Sequence, residues 1–484
     1  MGDRPDPLTD AVSRHSYYIY KNMNKIFVTI LCGTALLSSC RTMSNYERPE
    51  SISTDSLYRD TTDTYAVLQG DTTNFGNTPW REVFTEPQLQ ALIEKALTQN
   101  ADLRKADLTI TQAEAALKVA RLAYLPSMAF SPQGTISSFD GGKATKTYSI
   151  PIQASWQIGS LGSLRNTKKQ GEVNLELSRA SKQAVRTNII SAVANLYYTL
   201  QMLDEQLATT EATLEIWGKN VTAMEKMWEV GGLTNSAAVE QAKANYYQIQ
   251  ATVPALKQSI TSAENALCLI LHEAPHPISR GTFSGDGFPE QLKVGVPVQL
   301  LSNRPDVKAA ELSLANAFYA TNVARSAFYP SLTIGGQAGW TNSAGAAITN
   351  PAKFLASAVG SLVQPLFANG QLTAQLKIAK AKQEAALIDF EQSLYQAGAE
   401  VSDALSQYQA RCTQEQSLVK QVEQLTKAVD DTNYLFAHGN TTSYLETLTA
   451  QSSLLQAQLN LISTKFDKVQ AAITLYQALG GGRD

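Results

Sequence analysis

From Phe390 to Phe436, residues at Leu394, Ala397, Val401, Ala404, Tyr408, Arg411, Glu415, Leu418, Val422, Leu425, Val429 and Thr432 recur in unbroken steps of four and three. That spacing is a coiled-coil seam. The helical pattern runs from Gly370 to His438, and no proline follows Pro365. One helix is therefore predicted over 370–437, a rod of about 100 Å at the usual rise. The seam is small at Ala397 and Ala404 and polar at Arg411, Glu415 and Thr432, so its partners must come close and stay partly hydrated. Taken alone, the stretch reads most simply as a stalk or filament.

A second pattern has period two. Tyr148, Ile150, Ile152, Ala154, Trp156 and Ile158 alternate with Ser149, Pro151, Gln153, Ser155, Gln157 and Gly159, giving one greasy face and one mostly wet face. Leu332, Ile334, Gly336, Ala338 and Trp340 alternate in the same way, and a less regular strand follows from Phe354 to Leu366. Alternation is weaker from Met128 to Ser138, where Pro132 intervenes. The remaining segments read as helix. A helix from Trp80 ends at Asn100, which is expected to cap the next one, stopped by Pro126. A long helix is predicted over 162–230, then a turn at Gly231-Gly232, then a helix containing Val239 to His272 with a break at Pro254.

The second half replays the first. Val119-Ala-Arg-Leu-Ala-Tyr-Leu-Pro-Ser127 matches Val323-Ala-Arg-Ser-Ala-Phe-Tyr-Pro-Ser331 at an offset of 204, and beyond the strands Gly162, Leu164, Val193, Gly231 and Ala242 match Gly370, Leu372, Val401, Gly439 and Ala450 at 208. The expected division is 1–39 a start-site extension and leader, 40–79 a tether, 80–272 the first repeat, 273–300 a proline- and glycine-rich connector and 301–482 the second repeat. The fold class expected is mainly α with a transmembrane β-barrel portion, each repeat running helix, two strands, very long helix, returning helix. Four lipid-facing strands cannot close alone, and an open edge in hydrocarbon costs several kcal/mol per unsatisfied backbone group. Closure must come from other copies, eight strands from two or twelve from three.

Composition narrows the function. A formal net charge of -3 with 17% charged residues and no basic block interleaved with aromatics excludes a nucleic-acid partner. No run of 18 apolar residues exists, so any crossing of a membrane uses strands. The four cysteines form no disulfide framework. Met23 to Cys40 reads MNKIFVTILCGTALLSSC, a bacterial lipoprotein leader in which Cys40 would carry the lipid and Met23 would be the true start. Arg41, not Asp, follows it, which points to sorting to the outer membrane of a Gram-negative cell. His272-Glu-Ala-Pro-His276 spells H-E-x-x-H, but Pro275 breaks the helix that would put both imidazoles on one face. Neither a metal nor another cofactor is expected beyond the Cys40 lipid, and no enzyme chemistry is apparent.

The chain resembles the TolC-like outer membrane factors, in particular their OprM-type lipoprotein branch, over nearly all of residues 40–482. Leu301-Ser-Asn-Arg-Pro-Asp-Val-Lys-Ala-Ala-Glu311 is similar to the family's Arg-Pro-Asp helix start, with Asn303 as the expected cap. Leu362 to Gly370, Tyr444 to Gln451 and Leu475 to Gly482 carry the rest of the resemblance. The resemblance implies a homotrimer with a twelve-stranded barrel and a helical periplasmic tube. It would be the exit duct of a tripartite, RND-type efflux pump, docked on a periplasmic adaptor and served by an inner-membrane transporter. It further implies a periplasmic gate at Leu445, Glu446 and Thr449, and adaptor-facing tips at Gly231, Gly232, Gly439 and Asn440. Thr449 departs from a common family pattern, since many relatives carry Asp there. Two other readings stay open: the outer membrane channel of a type I protein secretion system, and an adaptor or stalk lipoprotein.

Overall fold

A computed structural model describes residues 44–50, 52, 57, 74–138, 140–160, 162–231, 235–285, 288, 292, 300–344, 347–437 and 444–483. Cys40 with its leader, Gly232, Gly439 and Asn440 lie outside the described residues. The helices are α1 Trp80–Val83, α2 Pro87–Gln99, α3 Ala101–Leu122, α4 Ser163–Glu229, α5 Ser236–Gln250, α6 Thr252–Ile270, α7 Leu300–Asn303, α8 Pro305–Ser326, α9 Gln371–Ala437 and α10 Tyr444–Ala478. The strands are β1 Ser127–Phe130, β2 Gln133–Ser137, β3 Thr145–Ser160, β4 Ser331–Ala344 and β5 Ala347–Val363.

The repeat is present to the residue. Helices α3 and α8 are both 22 residues long and offset by 204. Helices α4 and α9 are both 67 residues long and offset by 208. The 35 residues of α10 match the span of α5 and α6 together, at the same offset. That first copy is split at Ala251 because Pro254 has no N–H to donate to the Gln250 carbonyl. Gly162 and Gly370, one residue before each long helix, take φ of 82° and 77°, a turn that a side chain would strain. Even a strand-to-helix hydrogen bond is repeated. Trp156 Nε1 donates to the Tyr124 carbonyl at 3.0 Å, and Gln364 Nε2, 208 residues later, donates to the Phe328 carbonyl at 2.8 Å.

The chain forms two compact units, and each draws on both repeats. The first, 1–50, 112–176 and 312–388, contains the sheet. It is antiparallel in the order β1-β3-β4-β5, with β2 also on β3. Phe130 pairs with Ile152 and Gln133 with Ser149, so β1 and β2 hold one register and form a single strand interrupted at Pro132, whose nitrogen has no proton to give the ladder. Tyr46 packs edge-on against Phe318 with ring centroids 5.9 Å apart, and its amide donates to Tyr319 Oη, tying residues 44–50 to α8.

The second unit, 51–111, 177–311 and 389–484, is helical and holds the main core. Trp80 of α1 and Phe84 just after it, Leu89 and Ile93 of α2, Val193, Tyr197 and Leu200 of α4, Leu267 of α6 and Ile473 and Tyr476 of α10 are buried there. Along α9 the seam is sealed from Phe390 to Tyr408 and half-buried from Arg411 to Phe436. Its polar members are met by α10: Arg411 pairs with Asp467 at 3.2 Å and Glu415 with Lys468 at 2.7 Å. Partial hydration of the seam thus has a physical form, ion pairs held between two helices.

One local expectation is corrected. Asn303 does not cap α8; it ends the short α7, and its amide bonds Asn77 Oδ1 at 3.1 Å. The Arg304 side chain, buried beside it, bonds Asp306 through Nε at 3.0 Å, Glu400 at 2.7 Å and the Ala478 carbonyl at 3.2 Å. Asp306 sits in the first turn of α8 as expected of an anion at a helix N-terminus.

Candidate functional site

The sheet presents one continuous apolar face. Residues paired across an antiparallel ladder share a face, so the registers Met128↔Ala154, Ile152↔Ala338↔Ala356, Ile150↔Trp340↔Phe354 and Trp156↔Ile334 line up one side across the strands. Most of its large side chains are exposed, Trp340 at 56% and Phe354 at 61%. The other side carries Gln153↔Gln337↔Ser357 and Gln157↔Thr333↔Ser361. An outward band of this composition is what lipid requires of a barrel wall. Tyr148 and Trp156 stand eight residues apart on β3. That is about 27 Å of strand, or about 21 Å of height at a tilt of about 40°, close to the apolar band of outer-membrane barrels. Strand β5 departs from clean alternation, with Leu355, Val359 and Val363 exposed on the face where Gln and Ser stand elsewhere.

In the second unit, the start of α10 separates its side chains cleanly. Thr447 and Leu448 point inward: Leu448 packs with Trp217, Ile249 and Leu455, and Thr447 Oγ1 donates to the Thr432 carbonyl of α9 at 3.5 Å. Leu445, Glu446 and Thr449 are exposed, Leu445 at 64%. Thr449 Oγ1 donates to the Leu445 carbonyl at 2.7 Å, one turn back, so these two residues share a line on the helix. Packing at this helix start thus falls to the residues between the three gate candidates. Of the tip candidates, Gly231 ends α4 at φ 108° with its N–H on the Trp228 carbonyl at 3.3 Å.

The H-E-x-x-H segment closes a helix and opens no metal site. Helix α6 ends at Ile270, His272 takes φ 59°, its N–H bonds the Leu269 carbonyl and the Glu273 N–H bonds the Cys268 carbonyl, a left-handed helix stop. Glu273 then pairs with Lys95 at 2.5 Å and His276 at 3.2 Å. Hydrogen bonds from Lys95 and then His276 hold the Glu273 carboxyl below its usual range. No group of three or more potential ligands that could hold a metal occurs among the described residues.

Sequence patterns did not reveal the buried polar joints of the second unit. Arg280, in the connector, donates to Asp204 at 2.9 Å and Glu264 at 2.6 Å, fastening residues 278–281 to α4 and α6. Tyr197 and Gln201, one turn apart on α4, both donate to Glu86 Oε2, at 2.7 and 2.8 Å. Apart from Glu264, 16 residues from Arg280, their partners lie 76 to 115 residues away, a separation no local periodicity signals.

Known proteins place this arrangement. The family described as outer membrane efflux protein matches residues 92–271 and 296–481. The cation efflux system protein CusC of Escherichia coli K12 is 28% identical over 461 residues, 93% of this chain and 98% of its own. The probable outer membrane lipoprotein SilC of Salmonella typhimurium is 28% identical over 412 residues, 84% of this chain and 89% of its own. Among solved structures, CusC superposes with a TM-score of 0.80 at 27% identity, covering 90% of this chain and 99% of that one. The open-state MtrE channel of Neisseria gonorrhoeae shares the fold at a TM-score of 0.81 and 24% identity, covering 91% and 98%. The chain belongs to the outer membrane efflux protein family, a family of outer membrane channels.

Proposed function

We propose that this protein is the outer membrane exit duct of a tripartite efflux pump, a passive homotrimeric channel served by a periplasmic adaptor and an RND-type inner-membrane transporter. One observation carries the reading: a sheet with a continuous apolar face whose two edges, β1/β2 and β5, are both unpaired among the described residues. Pairing β5 of one copy with β1/β2 of the next satisfies those edges, and three copies make twelve strands. The duct performs no catalysis and needs no cofactor. Cys40 carries the lipid anchor. Asn45 Oδ1 accepts from Arg165 at 3.0 Å, which ties residues 44–50 to the first turn after β3. Leu445, Glu446 and Thr449 form the gate, opened by helix rearrangement, and Gly231, Gly232, Gly439 and Asn440 form the adaptor-facing tips.

The relatives' names refer to cations, pyoverdine, solvent and toluene, so cargo is not dictated by this fold. Small toxic compounds are the cargo class assigned here, and no observation favours the protein-secretion or adaptor readings. A cysteine in β1 (Ala129→Cys) with one in β5 (Ser357→Cys), on a background lacking the native cysteines, tests closure. A bifunctional cross-linker of about 10 Å reach should produce a ladder that stops at three copies. A ladder stopping at two copies, or none from inserted protein, would refute the trimer.

A further inference from the structure

Where the strands meet the helices of the first unit, basic side chains are in excess. Segments 115–130, 160–171, 318–331 and 364–382 hold nine of the chain's 40 basic residues and none of its 43 acidic ones. Glu114, Glu172 and Glu384 flank these segments, and Glu47 and Glu384 share a groove with Arg325 and Lys380, so the excess is a net one. The position is set by the fold. Trp156 of the apolar face bonds the Tyr124 carbonyl, and one turn below on α3 stand Arg121 and then Lys118. Arg325 is the repeat counterpart of Arg121, and Lys377 that of Lys169. Lys168 and Lys169 are met by Glu172 at 3.7 and 2.9 Å, so the field is carried mainly by Lys118, Arg121, Lys377 and Lys380, all exposed. Leu366 and Phe367, at the β5–α9 junction, are 94% and 85% exposed, apolar side chains of the kind a bilayer interface accepts.

We propose that this collar binds the phosphate groups of anionic phospholipids in the periplasmic leaflet of the outer membrane, fixing the depth at which the barrel sits. The inference rests on the duct reading, because that reading makes the apolar face a lipid surface and the helices its periplasmic side. Basic residues beside an anionic leaflet attract it within about a Debye length, and Lys and Arg at a helix end lay their stems along apolar surface while the charge meets the headgroup.

The experiment is native mass spectrometry of the full-length trimer released from micelles containing phosphatidylglycerol and phosphatidylcholine in equal amounts. The wild type should retain phosphatidylglycerol preferentially, and the preference should fall as salt rises from about 50 to about 500 mM. The variant Lys118→Gln/Arg121→Gln/Lys377→Gln/Lys380→Gln should lose about fivefold or more of it, and the charge-conserving Lys118→Arg/Lys377→Arg/Lys380→Arg should keep it. Equal retention of the two lipids by inserted, conducting wild type overturns the collar and leaves the duct standing. Binding of inorganic phosphate without a lipid preference overturns it too, assigning the charges to free anions. Failure of the wild type to insert or conduct would instead overturn the duct reading on which the inference rests.

Discussion

Arg304 joins three parts of the helical unit. Its guanidinium is 9% exposed and bonds Asp306 in the first turn of α8, Glu400 on α9 and the Ala478 carbonyl at the end of α10. Arg304→Met keeps the volume and removes the charge, stranding two carboxylates and one carbonyl. Breaking a fully buried pair costs about 3–5 kcal/mol. Here Asp306 and Glu400 are 51% and 40% exposed, so water reaches both, and the cost falls to about 2–3 kcal/mol. Hydrogen exchange reads it locally: amides of the first turn of α8 and of residues 478–482 should exchange about 30- to 150-fold faster, at tenfold per 1.4 kcal/mol. Arg304→Lys should fall between, since an ammonium cannot reproduce the two-pronged contact with Asp306. Acceleration below about fivefold would show that the joint contributes little. The same joint sets an acid limit. Burial pushes the Asp306 carboxyl up, but the hydrogen bond and charge of Arg304 outweigh it and leave the group below its usual 3.8. A depressed carboxyl stabilises above its unfolded value and loses that stability as pH falls through the folded one. Protection should hold from pH 7 to 5 and decline only below about pH 4.

At the alkaline end, burial, followed by the hydrogen bond to Glu86, pushes the Tyr197 hydroxyl up to about 12. A raised value means stability intact below about pH 10 and lost as pH climbs towards 12. Tyr197→Phe should lessen that alkaline decline in thermal unfolding followed by circular dichroism, leaving the share of Tyr198, whose hydroxyl burial also pushes up. Gly480→Ala should destabilise by about 2 kcal/mol or more in the same assay, because φ is 78° and a methyl would lie 2.5 Å from the Asn303 carbonyl oxygen. Gly231→Ala, at φ 108° with nothing within 4 Å, should cost only the backbone strain, about 1 kcal/mol. Cys40→Ser should abolish incorporation of labelled palmitate while trimers still form. Loss of the trimer would make the lipid a folding requirement.

Much of this architecture is legible in the sequence because both of its periodic signals are long. Thirteen consecutive four-and-three steps on α9 and twelve alternating positions on β3 leave little room for another period, and the repeat offset makes each half a check on the other. What escapes is held by single contacts between distant residues. Asn303 has the composition of a helix cap, but Arg304 and Pro305 follow it, and tertiary bonds to Asn77 take its amide. The Met128–Ser138 strand alternates weakly because Pro132 interrupts it, yet its register on β3 is unbroken. Strand β5 reads irregularly because both of its faces carry large apolar residues. At the start of α10, the family resemblance marked Leu445 and Thr449, and Thr447 and Leu448 fill the contact with the neighbouring helices in their place. The two compact units cannot be read from sequence order at all, since each is assembled from both repeats.

A gated duct is read out by single-channel current. The lipidated protein in planar bilayers should give small, long-lived steps, and Leu445→Ala/Thr449→Ala should widen the closed end and raise the conductance. Unchanged conductance in the variant would contradict the gate, and no current from confirmed inserted oligomers of either protein would contradict the duct itself.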